Sequence, residues 1–271
     1  LLSKQDWFRS HVFTLIALVA AFLVVQLLVG GLRGSRANTV WPALVALGVV
    51  HLTVRRIGRR ALASAAALLI AFMYVYGFYK SAGTEVLDLA SGTTSTAGLA
   101  NRTGRTFSLL VLEDFGRAGT QSLIADRLEA GSKLAWGTTY LGDSLKLMPE
   151  VLVPTSPDDK VAVGTDTLYG SGSYDAGLRT SRIYGLVGEA MLNFGLVGGA
   201  MAFVPFAVLV RLSERLWRTA ASTGSLVAAL LAPPLVAVCL VALGSDFDNV
   251  LWLLVKQVLP LTVVVLMSRL S

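Results

Sequence analysis

Residues 184–212 read YGLVGEAMLNFGLVGGAMAFVPFAVLVRL, an apolar run that is long enough to cross a lipid bilayer as a helix. Its many glycines favour close approach of neighbouring helices. The run nevertheless contains one carboxylate, Glu189, and one amide, Asn193, which lie four residues apart and therefore on one helix face. A charged group in such a run is costly, so it points to a functional site.

The composition of the whole chain is that of a membrane protein. Of 271 residues, 54% are hydrophobic and 15% are charged, and the mean hydropathy is +0.67. The net charge of +6 reflects arginines beside apolar runs, which fits membrane topology better than nucleic-acid binding. The single cysteine, Cys239, lies in an apolar run, which excludes a disulfide framework and a cysteine-based metal site.

Six apolar runs predict transmembrane helices. They cover residues 11–28, 37–54, 61–79, 185–210, 225–243 and 250–267. The predicted fold is therefore all-α, a polytopic membrane helix bundle of about six transmembrane helices. Residues 1–79 and 184–271 would each supply three of them, and residues 80–183, called the central segment below, would form a large extracytoplasmic loop containing short helices.

The arginines predict the orientation of the bundle. Residues 55–60 and 211–218 are rich in arginine and should be cytoplasmic, which also puts the N-terminal end of the sequence inside and the central segment outside. Arg33 and Arg36 break this rule, because they fall in a connection predicted to be outside. Flanked by glycines, they suggest an anion site, although an interfacial anchor is the alternative.

Counting residues estimates the depth of the charged groups in the membrane. From the nearest cytoplasmic arginines, Arg36 lies about 28 Å and Glu189 about 33 Å away along straight helices, which predicts that both reach the outer interface. Arg182 joins the face of Glu189 if that helix begins early, with Arg179 just above it. Lys256 lies deeper and needs a partner. Asp246, Asp248 or Glu189 could supply it, as a structural ion pair or as part of an anion site.

Within the central segment, apolar residues at helical spacing predict short helices over residues 120–129 and 138–151. Residues 91–104 are small and polar, which indicates a mobile stretch. Residues 164–182, rich in glycine, serine and tyrosine, are typical of a flexible loop or linker.

Three stretches, taken in order, resemble the C-terminal half of the O-antigen (Wzy-type) oligosaccharide repeat-unit polymerases. They are GLRGSRANTVWPALVALGVVHLTVRR at 31–56, TTYLGDSLKLMPEVLVP at 138–154 and GLVGEAMLNFGLVGG at 185–199. The Gly-Ser-Arg that ends at Arg36 and the Gly-Glu-x-x-x-Asn-Phe-Gly around Glu189 carry the resemblance. Family members usually have ten or more spans, so six spans imply that an N-terminal half is missing here or that the chain is a reduced relative.

The resemblance implies an inverting glycosyltransferase of the bacterial inner membrane. Such enzymes join polyprenyl-diphosphate-linked oligosaccharides into surface polysaccharide, such as lipopolysaccharide O-antigen or capsule, without a nucleotide sugar, a cofactor or a metal. A chain-length regulator or a flippase would be a protein partner, and no nucleic acid is expected. The chain departs from the family at Glu150, where an arginine is common, and in the turn PTSPDDK at 154–160.

The implied chemistry assigns roles to particular residues. Guanidinium groups can bind a diphosphate leaving group bidentately, so Arg36 is the first catalytic candidate. Glu189, the second, is either the base for the attacking hydroxyl or a clamp that orients Arg36 or Arg182. The remaining predicted substrate-binding residues are Arg33, Arg179, Arg182, Asn193, Tyr140 and Tyr174, the tyrosines by stacking on sugars; ordinary packing is the alternative for each tyrosine.

Two other functions stay open at this stage. An O-antigen ligase would use the same donor, but that class typically has a histidine in its large outer loop and residues 80–183 contain none. A non-catalytic transport or assembly protein would use the charges as packing ion pairs. Clustering of Arg33, Arg36, Arg182 and Glu189 around one outer cavity would favour the enzyme, and their dispersal would argue against it.

Overall fold

The computed structural model describes residues 10–31, 37–83, 91–93, 95–104, 106, 108, 111–112, 117–149, 151–153, 157–180 and 182–270. Over these residues the chain is helical and contains no strand, in agreement with the predicted all-α class. We label the α-helices in chain order. They are α1 (Val12–Gln26), α2 (Ala37–Thr53), α3 (Arg59–Ala82), α4 (Thr96–Thr103), α5 (Ala118–Glu129), α6 (Thr138–Leu145), α7 (Lys160–Tyr169), α8 (Gly185–Met201), α9 (Phe203–Thr223), α10 (Leu226–Gly244), α11 (Phe247–Leu253) and α12 (Leu259–Leu270).

Three helical stretches are long and apolar enough to cross a membrane: Arg59–Tyr79, Leu226–Gly244 and Phe247–Met267. The last joins α11 to α12 through a π-helical turn, Leu254–Val258. The bent pair α8 and α9 makes a fourth if it counts as one span. The first two predicted spans are apolar helices of only 17 and 15 residues, Phe13–Val29 and Thr39–Thr53, so the number six stays a prediction.

The stretch that contains Glu189 is not the single straight helix that its hydropathy predicts. Helices α8 and α9 meet at an angle of 58°, as in a broken span or a re-entrant loop. Within α8, Gly195 has a φ of 73° and a ψ of −168°, which only glycine adopts readily, and it interrupts the helix. Counting helical rise from Arg211 therefore does not give the depth of Glu189.

The described contacts divide the chain into two compact units, residues 1–110 with 216–233 and residues 111–215 with 234–271. In the first unit, Ala220, Ala228 and Ala229 form a small core against Leu52 and Leu216. Arg33 and Arg36 lie outside the described residues.

The core of the second unit is formed by Ile124, Leu168, Tyr184, Met191 and Leu192. These side chains come from α5, α7 and α8 and from the residue that precedes α8. Their burial ties α5 and α7 of the central segment to α8, and it positions the polar residues around Glu189.

Helix α7 was not predicted, since most of it lies within residues 164–182, whose glycine, serine and tyrosine content indicated a flexible loop or linker. Asp159 caps it by accepting hydrogen bonds from the N–H groups of Val161 and Ala162, both 2.9 Å. Gly164 faces Tyr184 so closely that a Cβ would collide with the tyrosine ring and hydroxyl. A small residue is therefore required here for packing, which explains a glycine that looked like a sign of flexibility.

Candidate functional site

The carboxylate of Glu189 is at the centre of a buried polar cluster. The residue is 1% exposed. Its Oε1 accepts a hydrogen bond of 3.1 Å from the hydroxyl of Thr139, and its Oε2 accepts one of 2.6 Å from the backbone N–H of Phe247. Glu189 thus links α8 to α6 and to the start of α11.

Asn193, one turn further along α8, completes this cluster. Its Nδ2 donates to Thr139 Oγ1 at 2.7 Å and to the Glu189 carbonyl at 2.8 Å, and its Oδ1 accepts from the Gly137 N–H at 2.9 Å. The sequence predicted that Glu189 and Asn193 share a face, which the hydrogen bonds confirm. It missed Thr139, because a threonine at the start of a short helix gives no signal of burial.

The interruption of α8 at Gly195 explains how the central segment docks onto this helix. A helical carbonyl normally accepts from the N–H four residues later, and the break removes this option near Asn193. The backbone N–H groups of Ala135 and Trp136 donate to the carbonyls of Leu192 and Asn193 instead, both at 3.0 Å. The kink thereby exchanges helical hydrogen bonds for tertiary ones.

A second buried carboxylate, Asp246, caps the N-terminal end of α8. It is 0% exposed, and its Oδ1 accepts from the backbone N–H groups of Tyr184 and Gly185 at 2.6 and 2.7 Å. Its Oδ2 lies 2.6 Å from the ammonium of Lys160, which also lies 2.6 Å from Asp248. A negative charge at a helix N-terminus is favourable, and the lysine neutralises part of it.

The pKa values in this cluster follow from burial and charge. Burial alone would lower the pKa of Lys160, but the carboxylates of Asp246 and Asp248 raise it above its ordinary value. Burial raises the pKa of the Asp246 carboxyl, while the Lys160 ammonium and the backbone N–H groups act in the opposite direction. Lys160 is thus held in its charged form as the counter-ion of Asp246 and Asp248.

Lys256 does not pair with either aspartate, contrary to the prediction. Both aspartates bind Lys160 instead, and the Lys256 ammonium lies 5.1 Å from the centre of the Trp252 ring, an arrangement typical of a cation–π contact. Nothing in the sequence favoured Lys160, which is the first residue of α7 in the central segment.

Glu189 also lines an apolar cavity of about 620 Å³. Its other walls come from α8, α9 and the ends of α10 and α11, including Phe194, Met201 and Phe206. Tyr140 of α6 lies at the same cavity, with its ring 5.3 Å from Phe247 and 6.3 Å from Phe194 between centroids. Burial raises the pKa of the Tyr140 hydroxyl, and the nearby charges of Glu189 and Asp246 raise it further, so it stays protonated.

The predicted arginines of the central segment lie elsewhere. Arg182 precedes α8 and does not share a helical face with Glu189; its Nη2 donates to the Tyr169 hydroxyl at 3.1 Å. The guanidinium of Arg179 lies 5.1 Å from the centre of the Tyr174 ring. The prediction that Glu189 orients Arg182 is therefore wrong, because Arg182 contacts Tyr169 instead.

The predicted site residues thus form two groups. Glu189, Asn193 and Tyr140 meet in the buried cluster, whereas Tyr174, Arg179 and Arg182 lie together on the surface of the central segment. Among the described residues, no group of three or more His, Cys, Asp or Glu side chains is placed to hold a metal ion.

No protein-family model matches this chain, and neither a curated protein nor a solved structure is significantly similar to it. The resemblance to the Wzy-type polymerases therefore stays a prediction from the residues that carry it.

Proposed function

We propose that the chain is a membrane glycosyltransferase that polymerises polyprenyl-diphosphate-linked oligosaccharide repeat units at the outer face of a bacterial inner membrane. In this proposal the N-terminal end of the sequence lies on the cytoplasmic side and the central segment on the outer side, which the distribution of arginines favours. The product is a surface polysaccharide such as O-antigen or capsule.

The observation that carries the proposal is the apolar cavity beside the polar residues of the central segment. A lipid-linked saccharide presents a hydrocarbon chain next to a charged diphosphate and polar sugars, so its enzyme needs an apolar and a polar surface side by side. The cavity of about 620 Å³ lies among apolar helices that are candidate membrane spans, and it adjoins Glu189 and Tyr140. Its volume is within the usual range of ligand sites.

The reaction joins an acceptor hydroxyl oxygen to the anomeric carbon of the donor sugar. The bond from that carbon to the diphosphate breaks, and the diphosphate leaves with the electron pair. Arg36, with support from Arg33, is assigned to bind the departing diphosphate, because guanidinium groups match phosphate oxygens bidentately. Arg179 and Arg182, the other predicted supports, lie against Tyr174 and Tyr169 instead. The proton of the hydroxyl passes to a base.

Glu189 is either that base or a clamp, which here means a residue that holds α6, α8 and the start of α11 together. The clamp has the stronger support, since both carboxylate oxygens already accept hydrogen bonds, from Thr139 and from the Phe247 N–H. Glutamine at this position could retain both contacts, as an acceptor for the N–H and a donor to the hydroxyl, but it could not accept a proton. Glu189→Gln therefore separates the two roles.

The proposal is tested by complementation of a polymerase-deficient strain of the host with the full-length gene. We expect the wild type to restore long polysaccharide, Arg36→Ala to abolish it, and the exposed Arg211→Ala control to leave it unchanged at equal protein levels. Glu189→Gln restores long polysaccharide if Glu189 is a clamp and fails if it is the base. A wild type without polymerising activity, or an active Arg36→Ala, would overturn the assignment.

A non-catalytic transport or assembly protein is the second candidate, and one observation favours it. Lys160 is engaged in ion pairs with Asp246 and Asp248, and Arg182 contacts Tyr169 and does not line the cavity with Glu189, so these charges serve packing. Such a protein would tolerate Arg36→Ala and Glu189→Gln whenever the chain still folds, and a strain that lacks it would still join repeat units.

A further inference from the structure

Two clefts on the central segment meet at a shared wall. The first, of about 660 Å³, lies between the end of α5 with the residues that follow it and α7 with its own following loop. The second, of about 880 Å³, lies between the end of α6 and the start of α7. Asp158, Ala162 and Tyr174 line both. The two clefts are therefore neighbours on either side of one ridge.

Tyr174 at this ridge and Tyr169 in the first cleft are held in place by charged groups. Asp166 accepts hydrogen bonds from the backbone N–H groups of Gly172 and Tyr174 at 2.9 and 2.8 Å, which fixes the loop that carries Tyr174. Arg179 covers the Tyr174 ring, and Arg182 donates to the Tyr169 hydroxyl. Tyr174 is half-buried and Tyr169 is 44% exposed, so both rings are positioned yet reachable.

This combination matches the chemistry of a saccharide. A sugar ring has a face of C–H groups, which stacks on an aromatic ring, and an edge of hydroxyls, which bonds to charged and polar side chains. The first cleft offers the rings of Tyr169 and Tyr174 beside the charged side chains of Lys133, Asp166 and Asp175. The apolar cavity near Glu189 lacks such a mixture, which makes the two sites suited to different parts of one substrate.

We infer that the two clefts together bind an extended saccharide chain, with Tyr174 at the junction between consecutive segments of it. The inference rests on the proposed function, and it adds that the protein holds the growing polymer on its central segment between additions. A chain that is held undergoes more additions before it dissociates. Loss of the tyrosine ring would thus shorten the product without preventing the joining of the first units.

Chain-length distributions of the polysaccharide, made by the full-length protein in its own polymerase-deficient host, test this inference. We expect Tyr174→Ala to weaken retention about fivefold and to shift the product to short chains, whereas Tyr174→Phe, which keeps the ring, gives the wild-type distribution. Ser171→Trp is the second variant, because Ser171 is exposed and lines the first cleft, so a large side chain there blocks the cleft without removing any packing. Ser122→Trp, exposed on α5 and away from both clefts, is its matched control and should give wild-type chains.

The outcomes separate this inference from the proposed function. A wild type that joins no units refutes both. A wild type that polymerises, together with wild-type chain lengths for both Tyr174→Ala and Ser171→Trp, refutes only the inference that the two clefts bind the saccharide chain. Short chains for both variants at normal membrane levels, with long chains for Tyr174→Phe and Ser122→Trp, support it.

Discussion

The buried cluster around Glu189 and the tyrosine–arginine surface of the central segment use polar residues in opposite ways. In the cluster, the side chains of Glu189, Asn193 and Asp246 form hydrogen bonds with other segments of the protein. On the surface, the rings of Tyr169 and Tyr174 are fixed from one side and line open clefts. A charge in an apolar helix thus holds segments together, whereas the two tyrosines of the central segment leave part of their rings exposed.

The largest effect should come from breaking the ion pairs of Lys160. Lys160→Met leaves Asp246 buried without its counter-ion, and breaking such a pair costs about 3–5 kcal/mol. We expect the midpoint of thermal unfolding in detergent, followed by circular dichroism, to fall by roughly 10 °C. The control is Lys133→Met, at an exposed lysine. Equal midpoints for the two variants would mean that the cluster does not have the holding role described here.

Replacing Glu189 sharpens the comparison, because both of its variants remove the carboxylate and only one of them keeps a side chain that can form hydrogen bonds. Glu189→Ala leaves the Thr139 hydroxyl and the Phe247 N–H unsatisfied and opens a cavity, at a cost of about 3 kcal/mol. Glu189→Gln keeps both contacts and should cost less than about 1 kcal/mol. The same unfolding measurement gives the order. Equal losses for both variants would show that the charge itself, not the contacts, stabilises α8.

A packing change tests whether α7 is as firmly held as its contacts indicate. Gly164→Ala forces a methyl group into the Tyr184 ring, and such overpacking typically costs about 1–3 kcal/mol. Gly58→Ala is the matched control, since Gly58 has a negative φ and open space around its Cα. If proteolysis of the 160–180 region is no faster in Gly164→Ala than in Gly58→Ala, the interpretation of this helix as packed would be wrong.

The smallest effect concerns pH. Burial alone would raise the pKa of Asp159, but the Lys146 ammonium, 2.8 Å away, and the backbone N–H groups of α7 lower it below its ordinary value. Because its pKa is lowered in the folded state, Asp159 stabilises the fold at pH values above the ordinary aspartate pKa of about 3.9. This contribution is lost as the pH falls through the pKa of Asp159 in the folded state. Asp159→Asn should therefore flatten the dependence of thermal stability on pH between about 5 and 3. An unchanged slope of thermal stability against pH would show that Asp159 does not contribute to the loss of stability in acid.

Hydropathy was sufficient to predict the apolar helices, because burial in lipid or in a helix bundle needs only length and composition. It could not predict the break at Gly195, since one glycine among many looks like a packing residue until its φ is known. The structure likewise confirms α5, which its apolar periodicity predicted, whereas α7 was missed because Gly164, Thr165 and Thr167 lie on its buried face, where a hydrophobic pattern would need apolar residues. Sequence alone treated these residues as a flexible loop.

The same limit applies to the candidate site. Spacing along one helix brought Glu189 and Asn193 together correctly, because residues four apart share a face. The partners from other segments, Thr139 and Lys160, could not be found, since spacing contains no information about which distant segments meet. Arg33 and Arg36 lie outside the described residues, so their predicted role in binding diphosphate stays a prediction.

The central claim, that this chain polymerises lipid-linked saccharides, is tested most directly with purified full-length protein in proteoliposomes. The vesicles receive the polyprenyl-diphosphate-linked repeat unit of the host, and the products are separated by size on a gel. We predict a ladder of polymers that differ by one repeat unit, absent with Arg36→Ala and retained with Arg211→Ala. A protein that is folded by circular dichroism but leaves the repeat unit unjoined would contradict the claim.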